Sequence, residues 1–176
     1  MSDPRSITAD AIEILIAREL RKAGIEPVGM HRRRPALIAT PDEYAFDLLG
    51  RLQAYDHRWS ALIECRNTST RVNSKDIVIL RERASSIPAA SALLCTTTDI
   101  DVDAARTARD LAVPLLRIAD AQRVLTETGM IQPGQLPAWV PEFTIELVTC
   151  DAAGMHARLL EEDQPELLLR ELRASG

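Results

Sequence analysis

Three residues on two neighbouring apolar segments have the types and spacing that metal-assisted chemistry requires. Asp47 lies in the segment 44–50 (YAFDLLG), while Glu64 and Arg66 lie in the segment 60–67 (SALIECRN). Two carboxylates brought together can hold Mg²⁺, which prefers oxygen ligands and keeps several of its waters. Such an ion lowers the pKa of a bound water and stabilises charge that develops on phosphate oxygens. If the two segments lie side by side, Asp47 and Glu64 are therefore a candidate site for a divalent metal ion.

The two segments must pair for that site to exist. Both are bounded by polar residues and the turn-prone Asp56 lies between them, which predicts an antiparallel hairpin. Alternation along the second segment separates its side chains into two faces, one with Ala61, Ile63 and Cys65 and the other with Leu62, Glu64 and Arg66. A carboxylate followed two residues later by an arginine on a strand is also most often only a surface ion pair, which contributes little to stability.

Helical and strand-like patterns alternate through the rest of the chain. We expect helices at 7–23, 74–86 (capped by Ser74), 101–112 and 119–127, strands at 25–30, 36–39, 90–96, 113–118 and 143–149, and one or two helices ending near Arg173. The nearly continuous apolar run at 90–96 is typical of a strand covered on both faces. The fold class is therefore α/β, with a mixed central sheet flanked by helices. Glycines and prolines from 129 to 141 predict a division into a core at 1–128 and a C-terminal extension at 129–176.

Composition restricts the class of protein further. The 176 residues carry a net charge of -5, but residues 18–75 have a balance of +4 and residues 76–176 a balance of -7. One side of the molecule could therefore face a polyanion. No apolar run approaches the length needed to cross a bilayer, the start of the chain has no secretory signal pattern, and the cysteines are odd in number. We therefore expect a cytoplasmic protein that does not enter membranes.

The order of the elements, with Asp47 seventeen residues before Glu64-x-Arg66, resembles the PD-(D/E)xK nuclease superfamily and most closely its Mrr-like restriction endonucleases. The matching segments are AIEILIARELRKAG, AFDLL, ALIECRN and ALLCTTTDIDVDAARTARDLAVPLLRIAD, all within residues 10–125. The resemblance implies a restriction-endonuclease-like core of order αβββαβ and a Mg²⁺- or Mn²⁺-dependent endonuclease that hydrolyses DNA phosphodiester bonds. It also implies that Asp47, Glu64 and the Cys65 backbone carbonyl ligate the metal, and that Glu13 orients a metal-bound water.

Arg66 departs from the pattern, because the family has lysine at this position. Arginine stays protonated and cannot act as a base, although its planar fork of donors can hold a phosphate. The chain has nineteen Arg and only two Lys, so a tolerated replacement and a loss of catalysis are both compatible with Arg66. A degenerate domain that binds DNA or a protein partner without cleaving is thus the alternative function. Lys75 could also reach the site from the start of the next helix.

Several residues around these two segments allow more than one role. The literal Pro-Asp pair is Pro41-Asp42, and Asp42 is a weaker alternative to Asp47 because it precedes the strand. Lys75 and the basic run Arg32-Arg33-Arg34 are candidate DNA-backbone contacts, although exposed arginines are often only solvated. A homodimer is also conceivable, with residues 143–173 at its interface. The three histidines lack metal-ligand spacing, and neither a G-x-S-x-G elbow nor a phosphate-cradling glycine loop is present.

Overall fold

The computed structural model describes residues 2–33, 43–88 and 90–160 of the chain. A short 3₁₀ turn at Pro4–Ser6 precedes the regular elements. The α-helices are α1 (Ala9–Lys22), α2 (Ser74–Ser85), α3 (Val102–Asp110) and α4 (Ala121–Glu127). The strands are β1 (Glu26–Arg32), β2 (Tyr44–Ala54), β3 (His57–Asn67), β4 (Ala90–Thr96), β5 (Leu115–Asp120), β6 (Phe143–Asp151) and β7 (Gly154–Leu159). The strand predicted at 36–39 and the helix predicted to end near Arg173 lie outside the described residues.

All seven strands belong to one mixed sheet in which they follow chain order from β1 to β7. The pairs β3–β4 and β4–β5 are parallel, and the other four pairs are antiparallel. Each parallel pair needs a crossover connection, which α2 and α3 supply. The expectation of an α/β fold with a mixed sheet flanked by helices is confirmed.

The sheet separates two apolar cores. On one face α1 packs its buried side chains with Phe46, Ile63 and Cys65. On the other face α2 and α3 pack with Leu62 and with side chains of β4 and β5. Successive residues of a strand point to opposite faces, so Leu62 and Ile63 fall in different cores. The alternation predicted for β3 is confirmed.

The hairpin of β2 and β3 is longer than its apolar segments suggested. The two strands pair without a register shift from Tyr44 opposite Asn67 to Ala54 opposite His57. The turn needs only Tyr55 and Asp56, with Tyr55 at a positive φ of 53°. A two-residue turn with positive φ matches the twist of an antiparallel pair, so the strands can continue up to it. The ladder that carries Asp47 and Glu64 is therefore regular on both sides of the pair.

Side-chain caps define where the first two helices begin. Thr8 accepts a hydrogen bond from the Ala11 backbone N–H and caps α1. Asn73, and not Ser74 as predicted, caps α2: its side chain accepts from the backbone N–H groups of Lys75 and Asp76. Asp76 returns a bond to the Asn73 backbone N–H and completes a capping box. Asparagine and serine are comparable caps, so composition alone does not separate the two neighbours.

The residues assigned to the C-terminal extension contribute to the same sheet. Strand β6 pairs with β5, and Ile145 of β6 is fully buried in the core that α1 covers. Strand β7, which the sequence analysis did not predict, pairs with β6 after the turn that ends at Gly154. The division between residues 128 and 129 stays a prediction. In the described ranges, no helix combines the length and apolar character that crossing a bilayer requires.

Candidate functional site

Asp47 and Glu64 lie directly opposite each other in the antiparallel ladder of β2 and β3. Their strand neighbours Phe46 and Cys65 point into the core covered by α1. Because strand side chains alternate, the two carboxyl groups point to the other face, where α2 lies. Cross-strand neighbours on one face have Cβ atoms about 4.5–5.5 Å apart, so one cation can contact both acids.

Helix α2 adds two charged residues to this face of the hairpin. Asp76 lies in its first turn and Arg83 in its last. They are seven positions apart, which is close to two helical turns and places both on one side of the helix. Ile77 and Leu80 are fully buried and hold α2 against the sheet. The helix thus presents one carboxylate and one guanidinium to the strand carboxylates.

The five charged residues form one continuous network. Arg83 donates from Nη1 to Glu64 Oε2 at 2.6 Å and from Nη2 to Asp47 Oδ2. Arg66 pairs its Nε with Glu64 Oε1 at 2.7 Å and donates from Nη2 to Asp76 Oδ1 at 3.0 Å. Glu64 therefore contacts a guanidinium through each of its oxygens, and Arg83 bridges the two strand acids.

Burial controls the electrostatics of this network. The side chain of Glu64 is only 9% exposed, and its burial raises the pKa of the carboxyl group above the usual range, although Arg66 and Arg83 act in the opposite direction. Burial lowers the pKa of each arginine, but their acidic partners outweigh it and the net shift is upward. Both guanidinium groups are therefore charged at any physiological pH, whereas burial opposes ionisation of Glu64.

A cavity of about 230 Å³ opens over the network. Its lining consists of Ala45, Phe46, Asp47, Glu64, Arg66, Asp76, Ile79 and Arg83. The Arg83 side chain is 40% exposed, whereas Asp47 is 18% exposed. Arg83 is therefore the charged side chain of the network that is most accessible to solvent.

The strand carboxylates fit a divalent cation in type and in placement. Both are oxygen donors, and both already contact one cationic group, the guanidinium of Arg83. Throughout the described ranges, no group of three or more His, Cys, Asp or Glu side chains is placed to hold an ion. The protein share of such a site would thus be small, as Mg²⁺ often accepts. A cation bound there would have to displace Arg83.

The structure does not bring Glu13 to this site. Glu13 lies on α1, where its carboxylate accepts from Arg32 Nη2 at 3.0 Å. Arg32 in turn covers the ring of Phe46 at 4.6 Å, on the face of the sheet opposite Asp47. The water-orienting role expected for Glu13 therefore has no geometric support, because α1 and the carboxylate pair lie on different faces.

The remaining predicted residues are placed around the site or away from it. Cys65 has a buried side chain, and its backbone lies between Phe46 of β2 and Cys95 of β4 in the ladder. Lys75 is exposed on the first turn of α2 and does not line the cavity. Arg33 is exposed beyond β1, and its backbone N–H donates to the Asp47 carbonyl. Arg34 and the alternative ligand Asp42 lie outside the described residues.

Sequence reasoning missed Arg83 and Asp76. Arg83 is 36 residues from Asp47 and 19 from Glu64, so no local motif connects them. A signal was nevertheless present, because an acid and an arginine two turns apart follow the strand that carries Glu64. If that helix packs on the Glu64 face, both residues must lie above the carboxylates.

Comparison with models of known protein families finds no match for this chain. Comparison with curated proteins likewise finds no significant relative. The fold and the site define an α/β domain in which Arg83 bridges the carboxylates of Asp47 and Glu64.

Proposed function

We propose that this chain is a nuclease-fold domain that hydrolyses DNA phosphodiester bonds with the help of a divalent cation, Mg²⁺ or Mn²⁺. The observation that carries the proposal is the cross-strand pair of Asp47 and Glu64, which converge on one cationic group in a cavity open to solvent. Such a pair at a hairpin, followed by a helix and a buried parallel strand, is the arrangement that the resemblance to Mrr-like enzymes implies.

Asp47 and Glu64 would ligate the cation, with the Cys65 carbonyl as the third candidate ligand. When bound, the cation supplies a water of lowered pKa and a positive charge near the phosphate. Glu64 is buried, so solvent compensates its charge poorly and a cation would favour its ionised form. That energetic need is the physical reason for a cation to bind at this pair.

Arg66 would hold the substrate instead of acting as a base. It is charged and anchored by Glu64 and Asp76, with 24% of its side chain exposed towards the cavity. A guanidinium fork binds two phosphate oxygens in a fixed geometry. We therefore assign Arg66 to orientation of the phosphate and to stabilisation of the charge that develops on it.

A second candidate function is a domain that binds DNA or a protein without cleaving. It is favoured by the bridge that Arg83 makes across both carboxylates, since an arginine that stays there permanently would replace the cation. The arginine at position 66 also favours this function, because no lysine side chain lines the described cavity.

The cysteines and the double-stranded substrate bear on where the protein acts and on how many copies act together. Cys65, Cys95 and Cys150 are free and buried, which suits the reducing cytoplasm. Cutting both strands of a duplex would call for two copies of the site, so we infer a homodimer on DNA. Light scattering with and without duplex DNA tests that inference.

The experiment that tests the function is cleavage of supercoiled plasmid with Mg²⁺ or Mn²⁺. We expect nicking by the wild type and its loss in Glu64→Ala. The matched control is Glu82→Ala, because Glu82 is an exposed acid on α2 outside the cavity. Full activity in Glu64→Ala would remove the carboxylate pair from the reaction, and no cleavage by a folded wild type would favour the non-cleaving alternative.

A further inference from the structure

Arg83 occupies the position that a cation shared by Asp47 and Glu64 would need. Its Nη1 lies 2.6 Å from Glu64 Oε2, and its Nη2 contacts Asp47 Oδ2. An arginine and a metal ion cannot both lie between the same oxygens, because two positive groups would share one small space. The site therefore holds either the Arg83 guanidinium or a metal ion between the two carboxylates, but not both.

The two arginines of the network differ in how they are held. Arg66 is 24% exposed and pairs with Asp76, which is itself fixed by the capping box at Asn73. Arg83 is 40% exposed, and its described ion pairs are those with the two strand acids. Loss of those acids to a cation would release Arg83 while Arg66 kept Asp76. Arg83 is thus the member of the network that can move.

We propose that Arg83 is an exchangeable internal cation, which a divalent ion displaces from Asp47 and Glu64 when a nucleic-acid phosphate is present to receive the guanidinium. This inference rests on the proposed function and adds a coupling to it. In the exchange the carboxylates bind the divalent ion in place of the guanidinium. The guanidinium then binds phosphate oxygens in place of the carboxylates. Without phosphate, the incoming ion leaves Arg83 beside a second positive charge and without a partner.

The exchange makes cation binding and nucleic-acid binding favour each other. Coupling of this kind is reciprocal, and typical values change each affinity by roughly 5–150-fold. We expect DNA to raise the Mn²⁺ affinity of the wild type by about tenfold, within that range. We also expect Arg83→Gln to bind Mn²⁺ about tenfold more tightly than the wild type without DNA, and to gain little when DNA is added.

Electron paramagnetic resonance of free Mn²⁺ measures both effects, with a phosphorothioate duplex that resists cleavage as the nucleic-acid probe. Asp47→Asn with the same duplex gives the background, since DNA itself binds Mn²⁺. Arg106→Gln is the matched control, because Arg106 pairs with Asp103 at an exposed position of α3. That control should behave as the wild type.

The outcomes separate the coupling from the proposed function. Equal Mn²⁺ affinity in the wild type and Arg83→Gln, with binding above background, would overturn the exchange and leave the metal site intact. No binding above background in any form, with or without DNA, would overturn the proposed function together with the exchange. If Arg83→Gln fails to fold, the wild type alone decides, since an Mn²⁺ affinity that DNA does not change contradicts the coupling.

Discussion

Asp47 on β2 lies directly opposite Glu64 on β3, and a single guanidinium, that of Arg83, contacts both carboxylates. With Asp76 and Arg66 the network contains one acid more than it has arginines. The excess negative charge lies among groups that are largely shielded from water. A site of this kind has an unmet requirement for positive charge.

The pH dependence of stability should reveal the cost of charging Glu64. Its pKa is raised in the folded chain, mainly by burial. A group of raised pKa stabilises the folded state below the unfolded pKa, and this contribution disappears as pH rises through the folded pKa. Relative to Glu64→Gln, the free energy of unfolding of the wild type should therefore fall as pH rises above about 4.5.

Urea denaturation between pH 4 and pH 8 checks this prediction. The fall should amount to about 1.4 kcal/mol for each unit by which the folded pKa exceeds the unfolded one. Glu82→Gln, at an exposed position of α2, should show no such trend. A rise with pH would mean that Arg66 and Arg83 outweigh burial at Glu64.

The capping box of α2 should connect helix stability with the site. Removal of a side-chain cap costs about 1 kcal/mol, so Asn73→Ala and Thr8→Ala should lower the free energy of unfolding to similar extents. Only Asn73→Ala also loosens Asp76, which holds Arg66. Fluorescence anisotropy with a labelled duplex should therefore show weaker binding for Asn73→Ala and an unchanged affinity for Thr8→Ala. Equal affinities would separate the cap from the site.

Gly50 should be required for the packing of β1 on β2. A Cβ added at Gly50 would lie 2.8 Å from the Met30 Cα, a backbone atom that cannot turn aside. Gly50→Ala should therefore destabilise the chain by about 1–3 kcal/mol and speed hydrogen exchange in β1. Gly129→Ala is the comparison: it meets open space and strains only its own φ of +74°, so exchange in β1 should not change. Unaltered exchange in both variants would contradict the close approach.

Arg66→Lys should separate the two candidate functions. Lysine lacks the fork that reaches both Glu64 and Asp76, so we expect a loss of stability of about 1 kcal/mol. A compact ammonium beside the carboxylate pair can also position the attacking water, so the rate of plasmid nicking should rise. A folded Arg66→Lys variant that nicks no faster than the wild type would favour binding without cleavage.

Much of the fold could be predicted from periodicity, because the apolar pattern of most segments agrees with the secondary structure that they adopt. The segment 90–96 became β4 with the same bounds, since a run of buried apolar residues has few alternatives to a central strand. The alternation of β3 correctly assigned Glu64 and Cys65 to different faces. By contrast, β7 (GMHARL) is a half-exposed edge strand with weak alternation, so its pattern was not distinctive.

Only those residues of the site that lie on the β2–β3 hairpin could be predicted from the sequence. Asp47 and Glu64 followed from the hairpin, because pairing of neighbouring strands is fixed by their pattern and turn. Arg83 and Asp76 depend on the face against which α2 packs, which is a tertiary property. Glu13 was grouped with the site by the resemblance alone, whereas α1 packs against the opposite face and pairs Glu13 with Arg32.

The most direct measurement is an anomalous difference map from crystals grown with Mn²⁺ and a phosphorothioate duplex. We expect a peak within bonding distance of the carboxylates of both Asp47 and Glu64, with the Arg83 guanidinium moved onto a phosphate. A map with no peak there, and with Arg83 still between the two carboxylates of DNA-bound protein, would contradict this expectation.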